Sequence, residues 1–198
     1  MAQNKFVKFS VIIFVIGSLI LLFGKGKWFP DFYNPQFMGI IGLISAILIV
    51  LPSLIFTPST SSWQAPKQKA LNLLQNVLVI SLLLSAAGAL GLFQLYKVGF
   101  EYDKILHFII PSLFIIVITY FNYHWYGISF RKSLIIALIL VTISGFLWEL
   151  FELFGDKNFG TQMLGYYGEF VSEDTFWDLI MNTLGSIVGV IIAIMKIK

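Results

Sequence analysis

The sequence predicts an all-α fold, a polytopic membrane bundle of six transmembrane helices forming one domain over residues 1–198, and three observations predict it. Hydrophobic residues make up 58% of the chain and charged residues 12%, with a mean hydropathy of +0.88, a balance that a water-soluble core does not require. The apolar residues gather into six runs, each long enough as a helix to cross the ~30 Å of bilayer hydrocarbon. The 10 acids fall on one side of the resulting topology, several of them inside the spans. Cysteine is absent, which excludes disulfides, thiol catalysis and thiolate metal sites.

The first span, about residues 7–24, follows a basic tail with Lys5 and Lys8. No small-x-small cleavage pattern precedes Lys25, so this run reads as a retained helix rather than a signal peptide. Trp28, Phe29, Pro30, Phe32 and Tyr33 then suit the headgroup level, where amphipathic rings settle. The second span covers about 37–56. Residues 57–68, with Pro58, Ser59, Ser61, Ser62 and Pro66, read as an exposed loop. The third span, about 70–96, opens with Asn72, Gln75 and Asn76 and later carries Ala86, Ala87, Gly88 and Ala89, small side chains that admit a close neighbour. The fourth, fifth and sixth spans cover about 103–123, 133–154 and 175–195. Trp125 and Tyr166 read as interfacial anchors, and Glu169 and Glu173 as solvated loop charges.

Six spans put both termini on one side. If that side is cytoplasmic it holds eight basic residues, Lys5, Lys8, Lys67, Lys69, Arg131, Lys132, Lys196 and Lys198, against five opposite, Lys25, Lys27, Lys97, Lys104 and Lys157. This is the bias that positive-inside sorting produces. Every acid then lies on the non-cytoplasmic side. Acids contribute little to that sorting, so their segregation calls for another cause, and a shared site at the outer face supplies one.

Helical geometry says which acids can meet. At 100° per residue, Asp174, Asp178, Asn182, Gly185 and Gly189 stay within roughly 80° of arc on the sixth span. Glu149, Glu152 and Asp156 share a stripe on the fifth, which Gly145 extends. Asp103, His107 and Pro111 share one on the fourth, with Lys104 beside it. The three stripes start at the same interface, and Asp178 and Asn182 lie ~6 and ~12 Å deeper than Asp174. Gly185 to Gly189 is a GxxxG pattern, expected to let the faces of the fifth and sixth spans pack closely.

Over about residues 90–189 these motifs resemble the YjdF-type family of bacterial inner-membrane proteins: Gly91-Leu92-Phe93, Tyr96-Lys97, Phe100 to Lys104 with His107-Phe108, Trp148-Glu149 with Glu152, Phe159-Gly160-Thr161, and Asp174-Thr175 through Asp178 and Asn182 to Gly185. The ordered pattern Asp-Lys-x-x-His, an intramembrane Glu, and Asp-x-x-x-Asn-x-x-Gly is more distantly similar to the VanZ-like group, associated with glycopeptide-antibiotic resistance. Asp103, Lys104, His107, Glu149, Asp178, Asn182 and Gly185 match the shared pattern. The resemblance implies a multi-pass protein of the bacterial cytoplasmic membrane, and it leaves the first two spans outside.

Carboxylates, an amide and one imidazole make a hard ligand set suited to Mg²⁺ or Mn²⁺. The expected ligands are Glu149, Glu152, Asp174, Asp178 and Asn182, with Asp103 orienting His107 as acid or base and Lys104 either contacting a phosphate or snorkelling to the interface. Only His107 and His124 are present, the second on the opposite side, which weighs against a zinc hydrolase. No phosphate loop, nucleophile elbow or dinucleotide fingerprint occurs, and nothing in the pattern points to nucleic acid. Three classes fit the residues: a divalent-metal-assisted enzyme acting on a lipid or lipid-linked phosphate at the outer leaflet, a proton- or ion-coupled transporter, and a non-catalytic protein that binds membrane lipids or assists a partner. The crowding of polar groups into one leaflet and the lack of an internal repeat weigh against transport.

Overall fold

The structure is a computed structural model and describes residues 4–25, 28, 34–56, 64–160, 163 and 171–197, with backbone alone at Gln64, Val171 and Ser172. The expected aromatic loop residues Phe29, Pro30, Phe32, Tyr33 and Tyr166, the polar loop at 57–63, and Lys27, Asp31, Thr161, Glu169 and Lys198 lie outside the described residues. Six helices are long and apolar enough to cross a membrane: α1 Lys5–Phe23, α2 Pro35–Ile55, α3 Gln64–Ala89, α4 Tyr102–Trp125, α5 Phe130–Phe159 and α6 Val171–Ile197. At 1.5 Å per residue the shortest, of 19 residues, and the longest, of 30, reach about 28 and 45 Å. The chain is a multi-pass membrane protein.

Three boundaries differ from the sequence expectation by five residues or more, each for a local reason. The third helix starts at Gln64 rather than near residue 70, because Pro66 falls in its first turn, where a missing N–H costs nothing. It also stops at Ala89, well short of residue 96. Gly91 takes φ +134°, which ends the α-helix, and residues Leu92–Val98 form a separate 3₁₀ turn. The fifth helix runs five residues past its apolar stretch, through Gly155, Asp156 and Lys157, to Gly160, whose φ of +62° suits a helix terminus.

The chain divides into two compact units, residues 1–83 and 84–198. In the first, Asn4 and Asn34 cap α1 and α2 by accepting the N–H of Phe6 (3.1 Å) and Phe37 (2.9 Å). The two helices approach closely at Gly39, where a Cβ would stand 3.0 Å from the Ser18 carbonyl oxygen. Gln75 on α3 donates to the Ile49 carbonyl (3.1 Å), and Asn4 donates to Asn76 (2.6 Å).

In the second unit α4 is central. It packs most extensively on α6, then on α5, while α5 and α6 touch each other least. The α4–α6 contact depends on the GxxxG pattern: a Cβ on Gly185 would run into the Phe108 carbonyl, and one on Gly189 would stand 2.7 Å from the Ser112 carbonyl. Ser112 Oγ donates to the Gly185 carbonyl across this seam at 2.6 Å. The small-residue face therefore meets α4, not the fifth span as the stripe had suggested. Below the seam Ile115, Ala137 and Val141 form an apolar core. Polar groups gather above it, at the end where α4 and α6 begin and α5 finishes.

Candidate functional site

The eight residues singled out by the sequence come from three helices and meet at that end: Asp103, Lys104 and His107 from α4, Glu149 and Glu152 from α5, and Asp174, Asp178 and Asn182 from α6. Each arrives by a one-turn step along its own helix, so the inward face needs no irregular backbone. Asp178 is completely buried, and His107, Glu149, Glu152 and Asp174 are buried too. Asp103 and Lys104 are the more accessible members, with side chains 18% and 12% exposed.

His107 sits at the centre. Its Nε2 faces Asp103 Oδ1 at 3.7 Å and Asp178 Oδ1 at 3.9 Å, and its Nδ1 faces Glu149 Oε1 at 3.8 Å. Asn182 lies beside the ring. A half-turn of its amide exchanges oxygen for nitrogen, so the same space can receive a donor or an acceptor. A Cβ on Gly145 would stand 3.3 Å from Asn182 Nδ2, so the absence of a side chain there is what admits the amide against α5.

Lys104 is fully engaged within the cluster. Its ammonium bonds Asp174 Oδ1, Asp178 Oδ1 at 2.8 Å and the Asp174 carbonyl at 3.4 Å. Asp174, expected among the cation ligands, is thus the partner of Lys104, and the ammonium expected at a substrate phosphate is held by two carboxylates of the protein itself. Asp156 leaves the Glu149–Glu152 stripe to accept the Met163 N–H at 2.6 Å, tying down the chain after α5. Glu101 and Glu173 are exposed.

Two residues had been given no role. Trp148 donates from Nε1 to Glu152 Oε1 at 2.8 Å, and the Thr175 side chain lies alongside Glu149. The first was legible as an i, i+4 step on α5. The second required knowing which face of α6 meets α5.

Two groups in this cluster could hold a metal ion: Asp103, His107 and Asp178, and His107, Glu149 and Glu152, each with ligand atoms within 4.8 Å of one another. Ligands about 2.1 Å from a common ion stand roughly 3 to 4.2 Å apart, so modest side-chain adjustment suffices. The two groups are not equivalent. Lys104 lies 2.8 Å from Asp178 Oδ1, and a divalent ion on the same oxygen would come within about 5 Å of the ammonium, a costly approach in a buried setting. On the other side Glu149 is only 7% exposed, and among the described residues the Thr175 hydroxyl is beside it but no ammonium or guanidinium pairs with it. A buried carboxylate without a positive partner is expensive, and a cation bound between Glu149, Glu152 and His107 would remove that cost.

Residues 6–198 match the family described as "Predicted membrane protein (DUF2238)", and the chain belongs to it. The match takes in α1 and α2, which the resemblance read from the motifs had left out. No curated protein and no solved structure matches the chain.

Proposed function

We propose that this DUF2238 protein holds a divalent cation, Mg²⁺ or Mn²⁺, between Glu149, Glu152 and His107 Nδ1, and uses it to act on a lipid or lipid-linked phosphate. One observation carries the reading: the buried Glu149 carboxylate lies beside a second carboxylate and an imidazole nitrogen, with no ammonium or guanidinium paired to it among the described residues. The ligand set is oxygen-rich with one nitrogen, the preference of these two ions. With Nδ1 turned to the cation, Nε2–H points at Asp103 and Asp178, the carboxylate–histidine–metal arrangement that fixes ring orientation. Asn182, next to the ring, supplies a further oxygen.

The substrate class follows from access. α5 and α6 meet each other less than either meets α4, which supports entry to the site between them. Trp148, 41% exposed and bonded to Glu152, stands at that flank. A headgroup entering from the bilayer would bring phosphate oxygens to the cation, which supplies Lewis-acid stabilisation of developing charge. Asp103, the most accessible carboxylate, is placed to carry the proton. The apolar core of Ile115, Ala137 and Val141 beneath favours chemistry at one end over passage through the bundle.

The eight-to-five basic bias supports this end lying outside with both termini cytoplasmic, and the YjdF-type resemblance supports the cytoplasmic membrane of a bacterium. The YjdF-type and VanZ-like patterns, which contain Asp103, Lys104, His107, Glu149, Asp178 and Asn182, support the same cluster as a common site.

Native mass spectrometry of the protein in mild detergent tests this directly. The parent should retain a divalent ion together with a phosphate-bearing lipid, and Glu149→Gln should lose the ion. A parent that carries no ion, and whose melting temperature does not respond to millimolar Mg²⁺ or Mn²⁺, rules out the cation. Reporter fusions at Lys198 and within residues 160–170 test the orientation. Activity of the C-terminal reporter only outside the membrane would put the site on the cytoplasmic face.

A further inference from the structure

We infer that Lys104 and Asp174 are positioning residues for the cation site, acting through Asp178 on His107. The geometry is a continuous chain: Asp174 Oδ1 and its carbonyl hold the Lys104 ammonium, the ammonium holds Asp178 Oδ1 at 2.8 Å, and that same oxygen faces His107 Nε2 at 3.9 Å. Every member is on a helix, and three of the four side chains are buried. Asp178 is completely buried, and the Lys104 ammonium fixes the direction of its Oδ1. With the ammonium holding it, that oxygen stands 3.9 Å from one edge of the imidazole, and the opposite nitrogen, Nδ1, faces Glu149 at 3.8 Å. Outer groups of this kind change metal affinity by roughly 10- to 100-fold when removed, although they never touch the ion.

The inference rests on the cation reading, but it has a signature of its own in the sign of one effect. By charge alone, replacing Lys104 with a neutral residue removes a repulsive ammonium from the neighbourhood of the ion and should tighten binding. If Lys104 acts by positioning, the same replacement loosens it. Mn²⁺ is the probe, with free ion read by electron paramagnetic resonance in a titration of the full chain in detergent. Lys104→Met should raise the dissociation constant ~10-fold or more, and Lys104→Arg, which keeps the charge and the donors, should stay within about 3-fold of the parent. In an Asp178→Asn background, Lys104→Met should add little, because the link it works through is already gone.

Lys104→Met leaves two buried carboxylates uncompensated and can fail to fold. Lys104→Met combined with Asp174→Asn removes one positive and one negative group together, so it strains the fold less and changes the net charge not at all. Charge alone then predicts an unchanged constant, whereas positioning still predicts ~10-fold weakening. Equal or tighter Mn²⁺ binding in either variant overturns the positioning role and leaves the cation site standing. A parent that binds no Mn²⁺ overturns both.

Discussion

The two units solve the problem of polar groups in hydrocarbon in opposite ways. In residues 1–83 the buried polar side chains are hydroxyls and amides: Ser10, Ser18, Ser45, Gln75 and Ser81. Ser10 and Ser45 donate to carbonyls one turn back on their own helices, both at 2.9 Å, and Gln75 donates to a carbonyl of α2. The only acid in this stretch, Asp31, lies outside the described residues. In residues 84–198 the cluster sets five carboxylates, Asp103, Glu149, Glu152, Asp174 and Asp178, against one ammonium among the described residues, that of Lys104. A hydroxyl can be satisfied by backbone at small cost. A carboxylate cannot, and an excess of four negative groups requires cations or protons from outside the chain. The first unit meets its polar groups with backbone and amide partners, across helices at Gln75 and Asn4, and the second retains a demand for positive charge.

The strongest way to break this comparison is steric. Gly185→Leu drives a side chain into the Phe108 carbonyl, and backbone cannot give way as a flexible side chain can. The α4–α6 seam should open at a cost of ~3 kcal/mol or more, read as loss of monodisperse protein and of the cation response together. Gly17→Ala in the first unit meets nothing within 4 Å and should stabilise its helix by ~0.5–1 kcal/mol. A well-folded Gly185→Leu protein would show that the seam is not what assembles the site.

A finer cut separates stability from binding. Glu149→Gln replaces a buried carboxylate that no ammonium or guanidinium among the described residues pairs with by a neutral amide of the same shape, so the cation-free protein should melt at or above the parent temperature. Its rise in melting temperature on adding Mn²⁺ should vanish, since only an ion bound to the folded state produces one. Gln75→Leu should do the reverse, costing ~1 kcal/mol through the lost bond to Ile49 while leaving the Mn²⁺ response intact. If Gln75→Leu abolishes that response, the division of labour between the units is wrong.

The sequence made the six helices legible, and with them the helix faces that carry the eight cluster residues, because hydropathy reports phase and a 100° step reports face. Which neighbour each face meets was not legible. The stripe through Gly185 and Gly189 announces a close approach without naming the approaching helix, and the structure supplies α4 where α5 was expected. For the same reason Lys104 could be read as a phosphate contact: a helix wheel places it beside His107 but carries no information about Asp174 and Asp178 some seventy residues later. The end of α3 was hidden by a different cause. Residues 90–96 are apolar enough to continue the span, and only the positive φ at Gly91, a backbone property that composition does not show, breaks it.

The smallest effect sharpens the comparison within one residue type. Ser10 and Ser112 are both buried serines on membrane helices, but Ser10 Oγ bonds the Phe6 carbonyl of its own helix at 2.9 Å, whereas Ser112 Oγ reaches the Gly185 carbonyl on α6 at 2.6 Å. A bond within a helix survives separation of the helices, so it contributes almost nothing to holding them together. A bond between helices is lost when they part, and such bonds contribute ~0.6 kcal/mol on average, with a maximum near 1.7. Ser10→Ala should therefore be neutral. Ser112→Ala should cost ~0.6 kcal/mol and slightly weaken Mn²⁺ binding, because the seam it fastens sets the spacing of His107 from Asp178. Unfolding in a graded detergent mixture can resolve the pair. A larger loss for Ser10→Ala than for Ser112→Ala would mean that the first unit is held by its hydroxyls and the α4–α6 seam by shape alone.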